Sequence, residues 1–171
     1  TKKLGNFSLF GFGGLSDQNQ NAKKDSTLWE EDYQRYDYTY FSNTGVTGLK
    51  HTITLNLNTF LQTTLLFSGH NYGDQEDRLD NNYNPQFNYK SAYTTKRITL
   101  ASVINNKLNA KNNLRSGVYL KQYAYNLTDR YLDKETNQIE EPLNSTSHAR
   151  TLQAFSQWSY RPIEKLTLNS G

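Results

Sequence analysis

The side chains able to do chemistry are few, and their spacing does not suit catalysis. His51, His70 and His148 are the three histidines. None belongs to a His-Glu-x-x-His pattern or another helical metal spacing. The carboxylate pairs Glu30-Glu31 and Glu140-Glu141 lie in polar stretches, without the apolar surroundings that raise a carboxyl pKa for acid catalysis. No Gly-x-Ser-x-Gly elbow is present, and Gly11-Phe-Gly-Gly14 lacks the Lys-Ser/Thr that completes a phosphate loop. Cys is absent, which excludes disulfides and thiolate metal sites. No enzyme and no cofactor is expected.

Three binding constellations remain. Asp74, Glu76, Asp77 and Asp80 gather the hard oxygen ligands that Ca²⁺ prefers, without the glycine and closing glutamate of an EF-hand loop. A solvated acidic loop is the plain alternative. Lys96, Arg97, Arg115 and Lys121, interleaved with Tyr119 and Tyr123, are candidates to line a polar lumen and attract an anionic solute. Arg150 and Phe155 extend that set. The interleaving superficially suits single-stranded nucleic acid. Acidic stretches nearby would repel phosphates, so nucleic acid is not an expected partner. Trp29, Tyr33, Tyr83, Phe87 and Tyr131 lie in the polar stretches as candidate ligand contacts, although Trp29 and Tyr33 equally suit a loop packed on itself.

The elements that must carry these residues are strands. Residues 51–73 form the longest run without an acidic or basic side chain, histidines aside. Leu49, His51, Ile53, Leu55 and Leu57 alternate with polar neighbours, and Leu61, Thr63, Leu65 and Phe67 do so after Asn56-Leu57-Asn58. Two-residue periodicity means extended chain, so this is a hairpin with a tight bend. Phe60 and Leu66 interrupt its polar side. The same alternation recurs in Ile98, Leu100 and Ile104, in Leu114, Val118 and Leu120, and in Leu152, Ala154, Trp158 and Tyr160. Residues 4–14 read as a strand whose glycines make room for Phe rings. Asn (20), Thr (18) and Tyr (13) favour strands and turns over a thick dry core. The expected fold is all-β, an antiparallel up-and-down meander of about seven strands over residues 1–171.

Three polar stretches, 15–36, 73–92 and 127–146, hold 14 of the 16 acidic residues and read as long loops. Short turns near Leu57, Ala110 and Pro162 would then share one end and the long loops the other. That asymmetry, with alternating apolar residues, suits a transmembrane β-barrel. Mean hydropathy is −0.87, so a membrane helix is excluded and barrel strands are not. Trp158 and Tyr160 by a short turn, and the stripe Tyr36, Tyr38 and Tyr40 by a long loop, fit interfacial girdles. Seven is an odd count for a closed bacterial barrel, Met is absent, and the last alternating stretch is short. A piece of a larger barrel is expected.

Residues 6–18 (NFSLFGFGGLSDQ), 42–50 (SNTGVTGLK) and the hairpin at 56–69 resemble barrel segments of TonB-dependent outer-membrane receptors of the kind found in Bacteroidota. The resemblance covers most of the chain and lies in strand texture. It implies a 22-stranded barrel in the bacterial outer membrane, an upstream plug domain and energy from the TonB complex. It also implies import of a nutrient such as an iron chelate, cobalamin, a glycan or a peptide. The competing expectation is a soluble secreted adhesin or glycan-binding module using the aromatics of its long loops.

Overall fold

The computed structural model describes residues 4–171. β1 (Asn6–Gln20), β2 (Tyr36–Asn56), β3 (Thr59–Leu79), β4 (Pro85–Lys107), β5 (Asn112–Asp133), β6 (Gln138–Ile163) and β7 (Leu166–Ser170) form one antiparallel sheet in sequence order. Two 3₁₀ turns, Ser26–Leu28 and Asp32–Arg35, sit between β1 and β2. β2 to β6 are 21 to 26 residues long, about four times an ordinary strand.

The long-loop expectation is corrected. Residues 73–92 and 127–146 are the upper arms of hairpins, whose true turns are only residues 80–84 and 134–137. Tyr and Thr favour pleated surface as readily as they favour water. Polar groups on neighbouring arms satisfy one another: Ser91 donates to Asp74, and Asn88 to Glu76. A hairpin wetted on both sides lacks the apolar alternation that marks a strand in sequence. Only between β1 and β2 does a long connection exist, residues 21–35. Several tight turns are closed by an Asx side chain. Asn56 accepts from the Asn58 N–H (2.9 Å), Asp80 from Asn82 (2.8 Å) and Asn84 (2.9 Å), Asn109 from Lys111 (2.9 Å), and Asp133 from Glu135 (2.8 Å).

The register sorts the side chains onto two faces. Leu9, Leu49, Leu65, Leu100, Leu120 and Leu152 are successive cross-strand partners, a single row of leucines over six strands. This leucine face also carries Phe7, Ile53, Leu61, Phe67, Ile98, Ile104, Leu114, Val118 and Trp158. The opposite face holds ten of the thirteen tyrosines: 36, 38, 40, 72, 89, 93, 119, 123, 125 and 131. Tyr36, Tyr38 and Tyr40 therefore do share a face, but it is turned away from the leucines. Of the aromatics expected in girdles, Trp158 and Tyr160 are the ones on the leucine face.

Among the described residues no second layer covers either face. The hydrophobic side chains buried among the described residues are Tyr36, Leu79 and Val103, whereas all six leucines of the row are exposed, from 36% at Leu65 to 79% at Leu9. The Phe10 ring of β1 and the Phe155 ring of β6 find their room over a glycine of the neighbouring strand, not over the glycines of residues 4–14. A Cβ at Gly48 would meet the Phe10 ring at 2.6 Å, and one at Gly117 would meet Phe155 at 2.6 Å.

Candidate functional site

The tyrosine face gathers most of the residues singled out for binding. Arg97, Arg115, Tyr119, Lys121 and Tyr123 all lie on it. Lys96 does not: as Arg97's neighbour in a strand it must point the other way, and it joins the leucine face with Arg150. The lower half of the tyrosine face is a cation–aromatic ladder. Tyr119 stacks on Phe155 (5.8 Å), the Arg115 guanidinium lies over Phe155 (5.8 Å), and Lys121 Nζ lies over Tyr119 (5.8 Å). Lys121 Nζ also donates to Gln153 Oε1 (2.8 Å), and Arg97 Nε to Ser68 Oγ (3.3 Å). Above them a depression of about 290 Å³ is lined by Thr44, Ser68, His70, Thr95, Arg97 and Tyr123.

The upper half is richer in rings and in acid. His70 stacks on Tyr72 (4.8 Å), Tyr72 tilts against Tyr93 (5.3 Å), and Tyr123 stacks on Tyr125 (5.9 Å). Asp74 and the buried Ser91 share the next row with Asp129. Aromatic faces beside hydrogen-bonding groups can hold a solute that has both apolar patches and polar edges. Sequence reasoning overlooked Tyr89 and Ser91, because it treated residues 73–92 as loop, and Tyr72 and Tyr93, which flank that stretch and whose pairing it therefore missed. The signal was present as the alternations Tyr72-x-Asp74-x-Glu76 and Tyr89-x-Ser91-x-Tyr93.

The calcium candidates are dispersed. Asp74 and Glu76 point to the tyrosine face, Asp77 to the leucine face, and Asp80 closes a turn. Among the described residues no group of three His, Asp or Glu side chains could hold a metal ion. The histidines are also apart. His51 sits on the leucine face, stacked on Phe7 (4.3 Å), with Nε2 2.8 Å from the Leu4 carbonyl. His70 meets Ser42 Oγ (3.3 Å) on the tyrosine face, and His148 lies on the leucine face.

Of the loop aromatics, the fold brings Trp29 and Tyr83 together, edge to face at 6.0 Å. Here the long connection packs on the turn at residues 80–84. Trp29 Nε1 donates to the Lys23 carbonyl (2.7 Å), and the Tyr83 hydroxyl donates to Ser26 Oγ (3.1 Å). The Arg35 guanidinium lies over Trp29 (4.7 Å) and donates to the carbonyl of the fully buried Leu79 (2.7 Å). Asp32 receives the Tyr36 hydroxyl (3.0 Å) and faces Arg78 (3.5 Å). That hydroxyl, and then Arg78, hold its carboxyl below the usual range. Tyr33 is exposed. Phe87 and Tyr131 belong to β4 and β5 rather than to loops, with Arg130 over the Phe87 ring at 5.7 Å.

The leucine face has its own order. Nine residues of each strand, for example 98–106 of β4 and 150–158 of β6, make a band of five rows. That is about 31 Å of strand, or about 24 Å of height at a barrel tilt of roughly 40°. Below its top row, the polar side chains that β2 to β6 place in the band find partners inside the chain. Thr63 pairs with Ser102 (3.4 Å), Ser116 with Ser156 (2.8 Å), Thr59 with Asn106 (3.2 Å), and Trp158 Nε1 with Asn112 Oδ1 (2.9 Å). In the top row Thr47 Oγ1 donates to the Phe10 carbonyl (3.1 Å).

Compared with known proteins, the chain matches no family model, no curated protein and no solved structure.

Proposed function

We propose that this chain is wall of a transmembrane β-barrel in a bacterial outer membrane, with its leucine face to lipid and its tyrosine face to a solute-conducting lumen. The carrying observation is the band: a leucine row across six exposed strands, in which serine, threonine and histidine are hydrogen-bonded within the chain. Water would satisfy those groups without help; hydrocarbon would not. The outer edge of β1 has no strand partner among the described residues, and β7 covers only the lower end of β6. Bare edges are not tolerated in lipid, so further strands must continue the sheet on both sides.

The finer reading is a TonB-dependent receptor importing a nutrient, in company with a plug domain and the TonB complex. It rests on the strand-texture resemblance and on a lumen wall lined with rings and cations. The task is binding and passage rather than catalysis. The competing soluble adhesin or glycan-binding module would use Trp29, Tyr33, Tyr83, Phe87 and Tyr131, and a detergent-free monomer that unfolds cooperatively would favour it.

The chain contains no cysteine, so single cysteines report cleanly. In the intact protein, cysteines replacing Leu65, Leu100 or Leu120 should react with a lipid-soluble maleimide and resist a charged one. Cysteines replacing Thr64, Ala101 or Tyr119 should show the reverse. Equal reactivity of both sets with the charged reagent would end the membrane reading.

A further inference from the structure

We infer that the leucine face seats a lipid whose headgroup carries phosphate, its acyl chain along Leu100, Leu120 and Leu152 and its phosphate on Arg150 and Lys96. This site rests on the membrane reading above and adds a specific lipid to it.

A groove of about 370 Å³ is lined by Ile98, Leu100, Leu120, Gln122, Arg150 and Leu152. Its walls below are leucine and its upper end is a guanidinium. Lys96 and His148 stand in the next row up, separated by Ala124, whose small side chain leaves the space between them low. Arg150 closes the top of the band and Lys96 lies just beyond it. Both have carbon stems long enough to lie along apolar surface and place a charge at its boundary. Neither takes part in the two ion pairs among the described residues, Arg78–Asp32 and Arg130–Glu141.

The surrounding charge pattern selects the ligand's sign. Across the row of Arg150, the row of Lys96 and the row of Thr146, this face carries no carboxylate. Acidic side chains return only farther up, at the level of Asp17. The opposite boundary of the band carries Trp158, Leu114 and Asn112 and no charge. At that end Lys107, Lys111 and Arg161 gather around the short turns below the band. On the leucine face itself the cations therefore stand at one boundary, that of Arg150 and Lys96. A zwitterionic headgroup supplies no net attraction there, whereas a phosphate monoester accepts charge-assisted hydrogen bonds from both cations.

The test uses the intact protein in nanodiscs of dioleoyl-phosphatidylcholine containing a minor fraction of dioleoyl-phosphatidic acid, followed by detergent release and mass spectrometry of retained lipid. Phosphatidic acid should be retained over phosphatidylcholine by about 30-fold relative to the bulk ratio, the product of two basic contacts. The double variant K96A/R150A should return retention to parity. Excess inorganic phosphate should leave wild-type retention unchanged, because the acyl chain also anchors the lipid. Parity in the wild type, no change in K96A/R150A, or displacement by inorganic phosphate each overturns the site. In a W29F background, quenching of Trp158 by nitroxide-labelled phosphatidylcholine tests the membrane reading separately. Quenching together with parity sinks the lipid site alone; absence of quenching sinks both.

Discussion

The two faces of this sheet are built from the same strands, at the same register, and solve different solvent problems. Inside the band on the leucine face hydroxyls are few, and those of β2 to β6 are paired within the chain, as Ser116 is with Ser156. On the tyrosine face rings stack on rings, cations lie over them, and Asp74, Glu76 and Asp129 stand in the rows above. A soluble sheet of this length would bury one face against a partner layer. Here neither face has one, so the difference between them lies in what each can tolerate outside itself. Carbon with its polar groups internally paired tolerates hydrocarbon, whereas rings with unpaired hydroxyls and charges need water.

The comparison breaks most readily by moving charge across it. Leu120→Arg, in the middle of the band, should destabilise the protein in lipid vesicles by about 2–4 kcal/mol. Its neighbour Thr151→Arg, on the other face, should change stability by less than about 1 kcal/mol. Both are read from denaturant unfolding in vesicles, and similar costs for the pair would erase the distinction.

Hydroxyl pairing gives a smaller and more specific effect. Ser116→Ala strands the Ser156 hydroxyl in the band and should cost about 1–2 kcal/mol, while S116A/S156A together should come close to neutral. Water on that face would make both single variants nearly silent. On the tyrosine face the interactions are individually weaker. Tyr119→Leu removes the stack on Phe155 and the Lys121 contact, for a cost of about 1 kcal/mol. A larger loss would mean that this face is packed rather than wetted.

How much of this is legible in the sequence depends on the range of the signal. Alternation is local, and it correctly grouped Leu49 with Ile53, Leu61 with Leu65, and Ile98 with Leu100. The hairpin arms at residues 73–92 and 127–146 were misread because polar residues on both sides remove the apolar alternation, leaving only the weaker one of rings with polar groups, as in Tyr89-x-Ser91-x-Tyr93. The leucine row itself is a non-local object. It requires five connections of the right length and phase, and no single stretch announces it. Lys96 is a different matter: two adjacent residues in a strand cannot share a face, so grouping it with Arg97 was avoidable from sequence. The stripe Tyr36, Tyr38 and Tyr40 was legible as a stripe, but the side it takes is set only by the partner strand.

The smallest expected effect lies at the top of the sheet, outside both faces. The Asp32 carboxyl is held below its ordinary value, first by the Tyr36 hydroxyl and then by Arg78. A depressed folded-state pKa stabilises above the unfolded value near 3.8, and that contribution is lost as pH falls through the folded value. Acidification below about pH 4 should therefore loosen residues 21–35 while the strands persist. Trp29 fluorescence would shift while far-ultraviolet circular dichroism stays constant, and simultaneous loss of both would tie this cap to the whole sheet.

The naked margin of β1 has a practical outcome for anyone producing the chain by itself. A ribbon that long, flanked by unmet donors and acceptors, will zip onto its own copies when nothing else is offered. Aggregates rich in extended chain are the product to expect from such a preparation, and covering that edge with any paired strand should abolish them.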